Sequence, residues 1–437
     1  MDALGGFVEY FFGFLSPLSI LRLAEALPTL LASMNYWVWL VLVLGLVRVQ
    51  APPIIVWLTS IWRASIFLPD PFVLRGGRAP LVSVVIAARN EAPRIEGTIR
   101  SVLDCGYPNL EVIVVDDASG DDTVMRARRF ARTTRVRVLA LGAHGGKPAA
   151  LNRGLDAARG DYVLILDADT ELQAGSIPYL LGPLMDPRCG AVTGVVRVRN
   201  ANENLVTGFQ ECEYAASVSI PRSWRASLGV MSIIPGGFGL FRAEAVQLLG
   251  GFDSGLGDDT DITLRLRKAG WGLAFTTGAV VWATVPRSWS ALCRQRRRWE
   301  RNMVKIRLRK QGDLLFPWRY GWRNALVALD TLVVRIGMPW LYFSAAIYLL
   351  ATQPFNTPML LSGLYWLTLF FTLIKMLIAY DITSSPQPRR FLMLPVVPFL
   401  RLLLRIAVFH AQASELLRIG QRHPYVPDRV WQQTPHW

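Results

Sequence analysis

Residues 161–170 read DYVLILDADT, a run that ends a short apolar strand in two carboxylates. Val163, Leu164, Ile165 and Leu166 are continuously apolar, the pattern of a strand in the middle of a parallel sheet with both faces covered. In open α/β sheets, ligands bind beyond the carboxyl ends of the strands. Asp167 and Asp169 are therefore expected at the rim of a cleft. One residue apart, they point the same way and can hold a divalent cation with a bound phosphate. A strand-end Asp also serves as an ordinary cap or turn residue, so the pair needs support from its surroundings.

Around this run, residues 80–286 alternate apolar strand patterns with amphipathic segments. Strands are expected at Leu81 to Ala87, Leu110 to Val115, Arg135 to Leu141, Tyr162 to Leu166 and Ala191 to Val198. Helices are expected at Ala92 to Asp104, Asp121 to Thr133 and Pro148 to Arg159. The alternation predicts a doubly wound α/β domain. No GxGxxG follows the first strand, so a dinucleotide site is not expected.

Other polar clusters fall at the ends of these elements. Asp116 and Asp117 close the second strand, where they can accept hydrogen bonds from a base or ribose or simply build a turn. Residues 141–147, LGAHGGK, offer backbone and Lys147 to an anionic ligand, with His144 read as a polar loop residue. Residues 235–242, PGGFGLFR, read as a flexible turn before a helix, with Gly237 and Phe238 placed to line a ligand. Asp258, Asp259 and Asp261 open a helix. Helix-dipole capping accounts for such acids, and so does a general base toward a hydroxyl. In 295–299, QRRRW, the residues Gln295, Arg298 and Trp299 share one helical face, an amide, a guanidinium and an indole. Arg296 and Arg297 read as membrane-surface cations.

The 437 residues carry 52% hydrophobic and only 18% charged residues, and mean hydropathy is +0.31. Membrane segments are therefore expected. The net charge of +15 fits cytoplasmic loops and an anionic substrate; no motif beyond charge supports nucleic acid as a partner. The four cysteines form no CxxC pair, consistent with a reducing compartment. Residues 1–79 are expected to form the N-terminal membrane segment or segments. Within them 1–34 is a short span or an interfacial helix, and Tyr36 to Trp62 is one kinked span; a cleaved signal peptide is not expected. Residues 287–324 read as amphipathic interfacial helices, 325–411 as C-terminal transmembrane helices and 412–437 as a basic tail. The uncharged loop near 351–358 and the basic loop at Arg389 and Arg390 orient the α/β domain to the cytoplasm. The last apolar segment, with Arg401 and Arg405, reads as spanning, re-entrant or channel-lining. Asp330, Arg335 and Lys375, polar within apolar segments, suit a polar path or snorkelling at span ends.

Taken in order, ARNE (88–91), DDAS (116–119), GGKPAALN (145–152), DAD (167–169), GGFG (236–239), GDDTD (257–261) and QRRRW (295–299) resemble the family 2 glycosyltransferases. More narrowly they are similar to the processive membrane polysaccharide synthases. The outline looks closest to poly-N-acetylglucosamine synthases, with chitin-oligosaccharide and hyaluronan synthases next. The resemblance implies a GT-A type nucleotide-sugar domain inserted between membrane helices. It implies a processive, inverting enzyme of the inner membrane that extends a β-linked polysaccharide from a UDP-sugar, UDP-GlcNAc first, and exports it. By position, Asp259 would be the catalytic base, with Asp258 and Asp261 among the substrate-binding residues. Asp116 and Asp117 would bind uridine, with Glu91 nearby, and Lys147 would contact the nucleotide or its diphosphate. Asp167 and Asp169 would hold Mg2+ or Mn2+. Gln295, Arg298 and Trp299 would bind the diphosphate and the acceptor end of the growing polysaccharide, and a small membrane or export partner is compatible with this scheme. Asp258 stands where many members carry Glu, and no further cytoplasmic module is expected after the last apolar segment. The alternatives are a non-processive transferase acting on a lipid phosphate, a hyaluronan-, chitin- or cellulose-type synthase, and a catalytically silent secretion subunit.

Overall fold

The computed structural model describes residues 71–72, 79–253, 257–352, 357–383 and 388–417. The expected N-terminal spans within 1–70 and the tail from 418 onward lie outside the described residues.

One eight-stranded sheet organises the chain. Its strands are β1 Val82–Ala88, β2 Leu110–Asp116, β3 Val136–Ala140, β4 Tyr162–Asp167, β5 Thr170–Leu172, β6 Cys189–Val198, β7 Phe238–Arg242 and β8 Gly272–Ala283. Their spatial order is β3-β2-β1-β4-β7-β6-β8-β5. The first four are parallel, with β1 between β2 and β4. β4 sits at the centre, and its apolar run feeds two cores by strict alternation. Leu164 and Leu166 pack with Ile95, Ile99 and Val102 of helix α1 (Ile95–Leu103). Val163 and Ile165 pack on the opposite face with Leu151 and Leu155. Those two leucines belong to α3 (Lys147–Ala157), which follows α2 (Thr123–Arg128). Gly154 lets α3 lie directly on the sheet: a Cβ there would come within 2.3 Å of Val85 Cγ1.

The parallel half is the expected α/β arrangement, and beyond β4 the sheet continues with antiparallel pairings. β7 runs antiparallel to both β4 and β6, and β5 antiparallel to β8. The stretch read as a turn before a helix is a turn only at Gly236 and Gly237. From Phe238 it is a central strand, because Phe238 and Leu240 feed one core while Phe241 feeds the other. Helix α4 (Ser176–Leu184) covers one face of this half.

A second layer follows the sheet. Helices α5 (Leu205–Glu213) and α6 (Ile220–Ser227) are joined by a π-helical turn, Tyr214–Ser219. Helix α7 (Ala243–Leu248) leads to α8 (Asp258–Lys268), and α9 (Trp289–Val304) continues into a π-helical turn, Lys305–Lys310. Helix α10 (Trp322–Thr352) and the 361–379 part of α11 (Thr357–Thr383) are long and apolar enough to cross a membrane, by length and composition. Helix α12 (Val397–Leu416) lies along α9. Arg301 and Arg309 reach Glu415 of α12 at 3.2 and 2.7 Å, and Gln412 donates to Glu300 at 2.5 Å.

Candidate active site

The carboxyl ends of β1, β2 and β4 open on the same side of the sheet, and the polar clusters gather there. The backbone bends sharply at two of these ends. Asn90 and Ala118 take left-handed φ values of 55° and 54°, which side chains disfavour. They are locked to one another: Asn90 N–H donates to Ser119 Oγ, and Gly120 N–H donates to Asn90 Oδ1, both at 2.9 Å.

Asp116 and Asp117 are buried and engaged within the fold. Asp116 accepts from the Ser119 N–H at 3.0 Å and from its hydroxyl. Asp117 accepts from Gly145 N–H at 2.6 Å, Gly146 N–H at 2.9 Å and His144 Nδ1 at 2.7 Å. His144 is therefore more than a polar loop residue. Its Nε2 meets Arg89 Nη1 at 2.5 Å, so the ring bridges the ends of β1 and β2. Its place inside a Gly-rich loop was the one available sign in the sequence.

The loop that Asp117 holds delivers Lys147 at the start of α3. Lys147 Nζ donates to Asp167 Oδ1 at 2.5 Å and to the Gly236 carbonyl at 3.0 Å. Burial alone would depress the ammonium. The facing Asp167, with Asp258 and Asp259 behind it, holds it above the ordinary lysine range. Asp167 remains about two-fifths exposed to the cleft.

Gly236 and Gly237 form the strap between the two carboxylate groups. A Cβ on Gly237 would lie 2.3 Å from Asp167 Oδ2, and one on Gly236 would lie 3.2 Å from Asp259 Cβ. Gly236 N–H also donates to Asp259 Oδ2 at 3.4 Å. Asp258 and Asp259 occupy the first turn of α8, behind Gly257 in left-handed conformation. Burial, together with Asp259 and Asp167, pushes the Asp258 carboxyl up to about 6 against the pull of Lys147, and its Oδ2 is buried without a hydrogen-bond partner.

Asp169 sits one step beyond Asp167. Burial first, then Asp167 and Glu91, push its carboxyl up to about 6. Glu91 itself pairs with Arg94 at 3.0 Å. Among the described residues no three His, Cys, Asp or Glu side chains form a metal cluster. Asp169, its carboxyl raised by burial and by the neighbouring Asp167, nevertheless fits, together with Asp167, a divalent cation completed by ligand phosphates, the pattern usual for Mg2+.

Two expected ligand contacts are corrected in place. Phe238 is 1% exposed and packs in the core, since its position on β7 turns the ring under the sheet. Asp261 is turned away into a buried network with Arg265 (2.8 Å), Lys310 (2.9 Å) and Gln311 (2.8 Å), one that joins α8 to the segment after α9.

Helix α9 closes the other side. Gly257 packs on its end and on the π-helical turn that follows so tightly that a Cβ there would lie 3.4 Å from Asn302 Cβ and 3.0 Å from Ile306 Cγ1. Gln295, Arg298 and Trp299 lie one to two turns earlier on that face. The Trp299 indole is 43% exposed. Arg296, read as a surface cation, is instead buried. It pairs with Glu213 at 2.7 Å, and its guanidinium lies 4.3 Å from the Trp299 ring centroid and 5.7 Å from that of Tyr214. An acid and an aromatic on α5 and its π-helical turn capture the arginine, a tertiary contact that helical periodicity does not show.

Comparison with known proteins gives this geometry a family context. The sequence profile described as Glycosyltransferase like family 2 matches residues 79–302. The probable glycosyltransferase YdaM of Bacillus subtilis is 34% identical over 230 residues, 51% of this chain and 55% of that protein. A poly-beta-1,6-N-acetyl-D-glucosamine synthase of Staphylococcus epidermidis is 30% identical over 230 residues, 52% of this chain and 56% of that protein. The chain thus matches a little over half the length of these curated relatives. Among solved structures, the mannosyltransferase PcManGT from Pyrobaculum calidifontis, in complex with GDP-Man and Mn2+, aligns with a TM-score of 0.59 at 22% identity, covering 87% of this chain and 99% of that one. That likeness is one of fold, and the fold is of GT-A type.

Proposed function

The chain belongs to glycosyltransferase family 2, and from that premise we propose that it builds a β-linked polysaccharide from a nucleotide sugar, UDP-GlcNAc first. The donor would lie across the ends of β1, β2 and β4, with Asp116, Asp117 and Glu91 at the uridine end and Lys147 by the diphosphate. A divalent ion, Mg2+ or Mn2+, bound by Asp167 and Asp169 would offset charge on the leaving diphosphate. The acceptor hydroxyl would rest between Asp259 and Trp299. Asp259 takes its proton as the hydroxyl oxygen bonds to the anomeric carbon and the bond from that carbon to the diphosphate oxygen breaks, inverting the centre. Arg298 and Lys147 receive the charge that develops on UDP. The leaving group is already activated, so no second acid is needed.

The observation that carries this reading is the Gly236-Gly237 strap, which has Asp167 against Gly237 and gathers Lys147, Asp258 and Asp259 around Gly236. The two apolar helices and the identity to a poly-GlcNAc synthase support a membrane enzyme with its catalytic domain on the cytoplasmic side, processive and exporting its product. The test is a panel of UDP-GlcNAc, UDP-Glc and UDP-GlcA in membranes with Mg2+ or Mn2+, reading UDP release and product size. A ladder of long chains is expected. A single-sugar lipid product would replace the polymer reading with transfer to a lipid phosphate.

A further inference from the structure

Four arginines converge where α6 and the turn after α9 meet α10. Arg225 Nη2 donates to both carboxylate oxygens of Asp330, at 3.1 and 3.3 Å. Arg307 Nη1 donates to Thr331 Oγ1 at 3.0 Å, and Nη2 to the Ser232 carbonyl at 2.6 Å. Asp330 and Thr331 are neighbours, so the two guanidiniums arrive side by side. Arg222 precedes Arg225 by one turn of α6. Arg335 follows Asp330 by about one turn of the π-helical stretch Asp330–Gly337, which returns it to the same face.

The group is short of negative charge. Among the described residues Asp330 is the carboxylate bonded to any of the four, and the guanidiniums of Arg222 and Arg335 make no hydrogen bond there. Arg307 is 5% exposed, and its Nε is buried without a partner. Burial first, then the charges of Arg335 and Arg225, push Arg307 down to about 9. Arg222 is pushed down to about 10 by burial, while Tyr214 and then Asp259 pull it back up, which places it within the field of the base.

Like charges crowded together, with Arg307 buried and the other three half-buried, repel one another unless an anion completes the set. Guanidinium forks match the oxygens of phosphate, and the surplus of charge favours a group bearing two or more negative charges over a single carboxylate. We propose that Arg222, Arg225, Arg307 and Arg335 form a phosphate-binding subsite on the acceptor side of Asp259, for a phosphate monoester or diphosphate. The subsite lies between the base and the first turns of an apolar helix, so a phosphate held there can be the head of a membrane-embedded molecule or a free anion from water. The proposal rests on the transferase reading only for the role of Asp259, because binding is measured without donor.

The experiment uses the full chain in neutral detergent, with two probes. One is inorganic pyrophosphate, followed by calorimetry. The other is dioleoyl phosphatidic acid in phosphatidylcholine micelles, followed by native mass spectrometry. Wild type is expected to bind at least one. Saturation by pyrophosphate identifies a water-borne source and retention of phosphatidic acid alone a membrane source; both uphold the phosphate chemistry. Arg222→Gln and Arg335→Gln should each weaken binding about tenfold, the loss of a charge-assisted hydrogen bond. Asp330→Asn, which removes the competing carboxylate, should tighten it, and Arg297→Gln, exposed on α9, should leave it unchanged. The proposal is overturned if wild type binds neither probe, or if both glutamine variants keep their melting temperature and bind as wild type. Should those two variants fail to fold, an Asp330→Asn protein that binds no tighter than wild type overturns it. Intact phosphate binding in a protein that releases no UDP would instead count against the transferase reading alone.

Discussion

Gly237 and Asp167 stand so close that a methyl group on the first would come within 2.3 Å of a carboxylate oxygen of the second. Gly237→Ala must therefore displace Asp167 or the strap. We expect UDP release to fall about 100-fold, the cost of misplacing a reacting group by about 1 Å. A Gly237→Ala enzyme with wild-type turnover would show that the strap does not set the site.

Asp259 is the group we assign to the acceptor hydroxyl. Asp259→Asn should lower kcat by a factor of about 100 to 10,000 and leave donor KM near its wild-type value. Steady-state UDP release across donor concentrations separates the two parameters. A variant that changed only KM would make Asp259 a binding residue.

Asp258 predicts a stability effect with a definite sign. Its carboxyl is raised from 3.8 to about 6 in the folded chain, so the fold holds its proton more tightly than the unfolded chain does. Such a group destabilises above about pH 6, and the penalty fades as pH falls from there toward 3.8. Asp258→Asn should thus raise the melting temperature at pH 7.5, and the gain should shrink toward pH 4. Thermal unfolding at several pH values checks this; a gain that grows on acidification contradicts the assignment.

Arg296 holds Trp299 through its face at 4.3 Å while Glu213 fixes the guanidinium from the other side. Arg296→Ala should loosen the indole, shorten the product and raise acceptor KM about 3- to 30-fold, the range of a desolvated cation–π contact. Donor KM should stay put. Equal changes in both constants would point to general unfolding instead.

Removing divalent ions with EDTA should stop UDP release, and Mg2+ or Mn2+ should restore it. Asp169→Asn should need about tenfold more metal for half-maximal rate, since one of two carboxylate ligands is lost. Full activity in EDTA would remove the metal from the scheme.

Much of this was legible before any coordinates. The run Val163–Leu166 announced a central strand because alternate residues could face two cores, and they do. The acids of 167, 169, 258 and 259 were legible because strand ends and helix starts are where folds expose carboxylates. Strand β7 was hidden by the glycines before and within it: Gly239 reads as turn chemistry after Gly236 and Gly237, yet it is needed because Ile234 Cγ2 leaves only 2.4 Å for a Cβ. Asp261 and Phe238 were misplaced for a shared reason. Being beside a functional residue in sequence says nothing about which face of a helix or strand the side chain takes. Arg296 and His144 were passed over because their partners, Glu213 and Asp117, are 83 and 27 residues away.

The bonds from Arg301 and Arg309 to Glu415, with Gln412 to Glu300, join the helix that bears Trp299 to the last apolar helix along one shared edge. The boundary of the catalytic unit is consequently not a point along the chain. A chimera that exchanges residues 79–302 with a relative would keep Arg309 against Glu415 but replace Arg301 and Glu300, the other partners of Glu415 and Gln412; a working graft has to carry α12 together with α9, although about a hundred residues separate them.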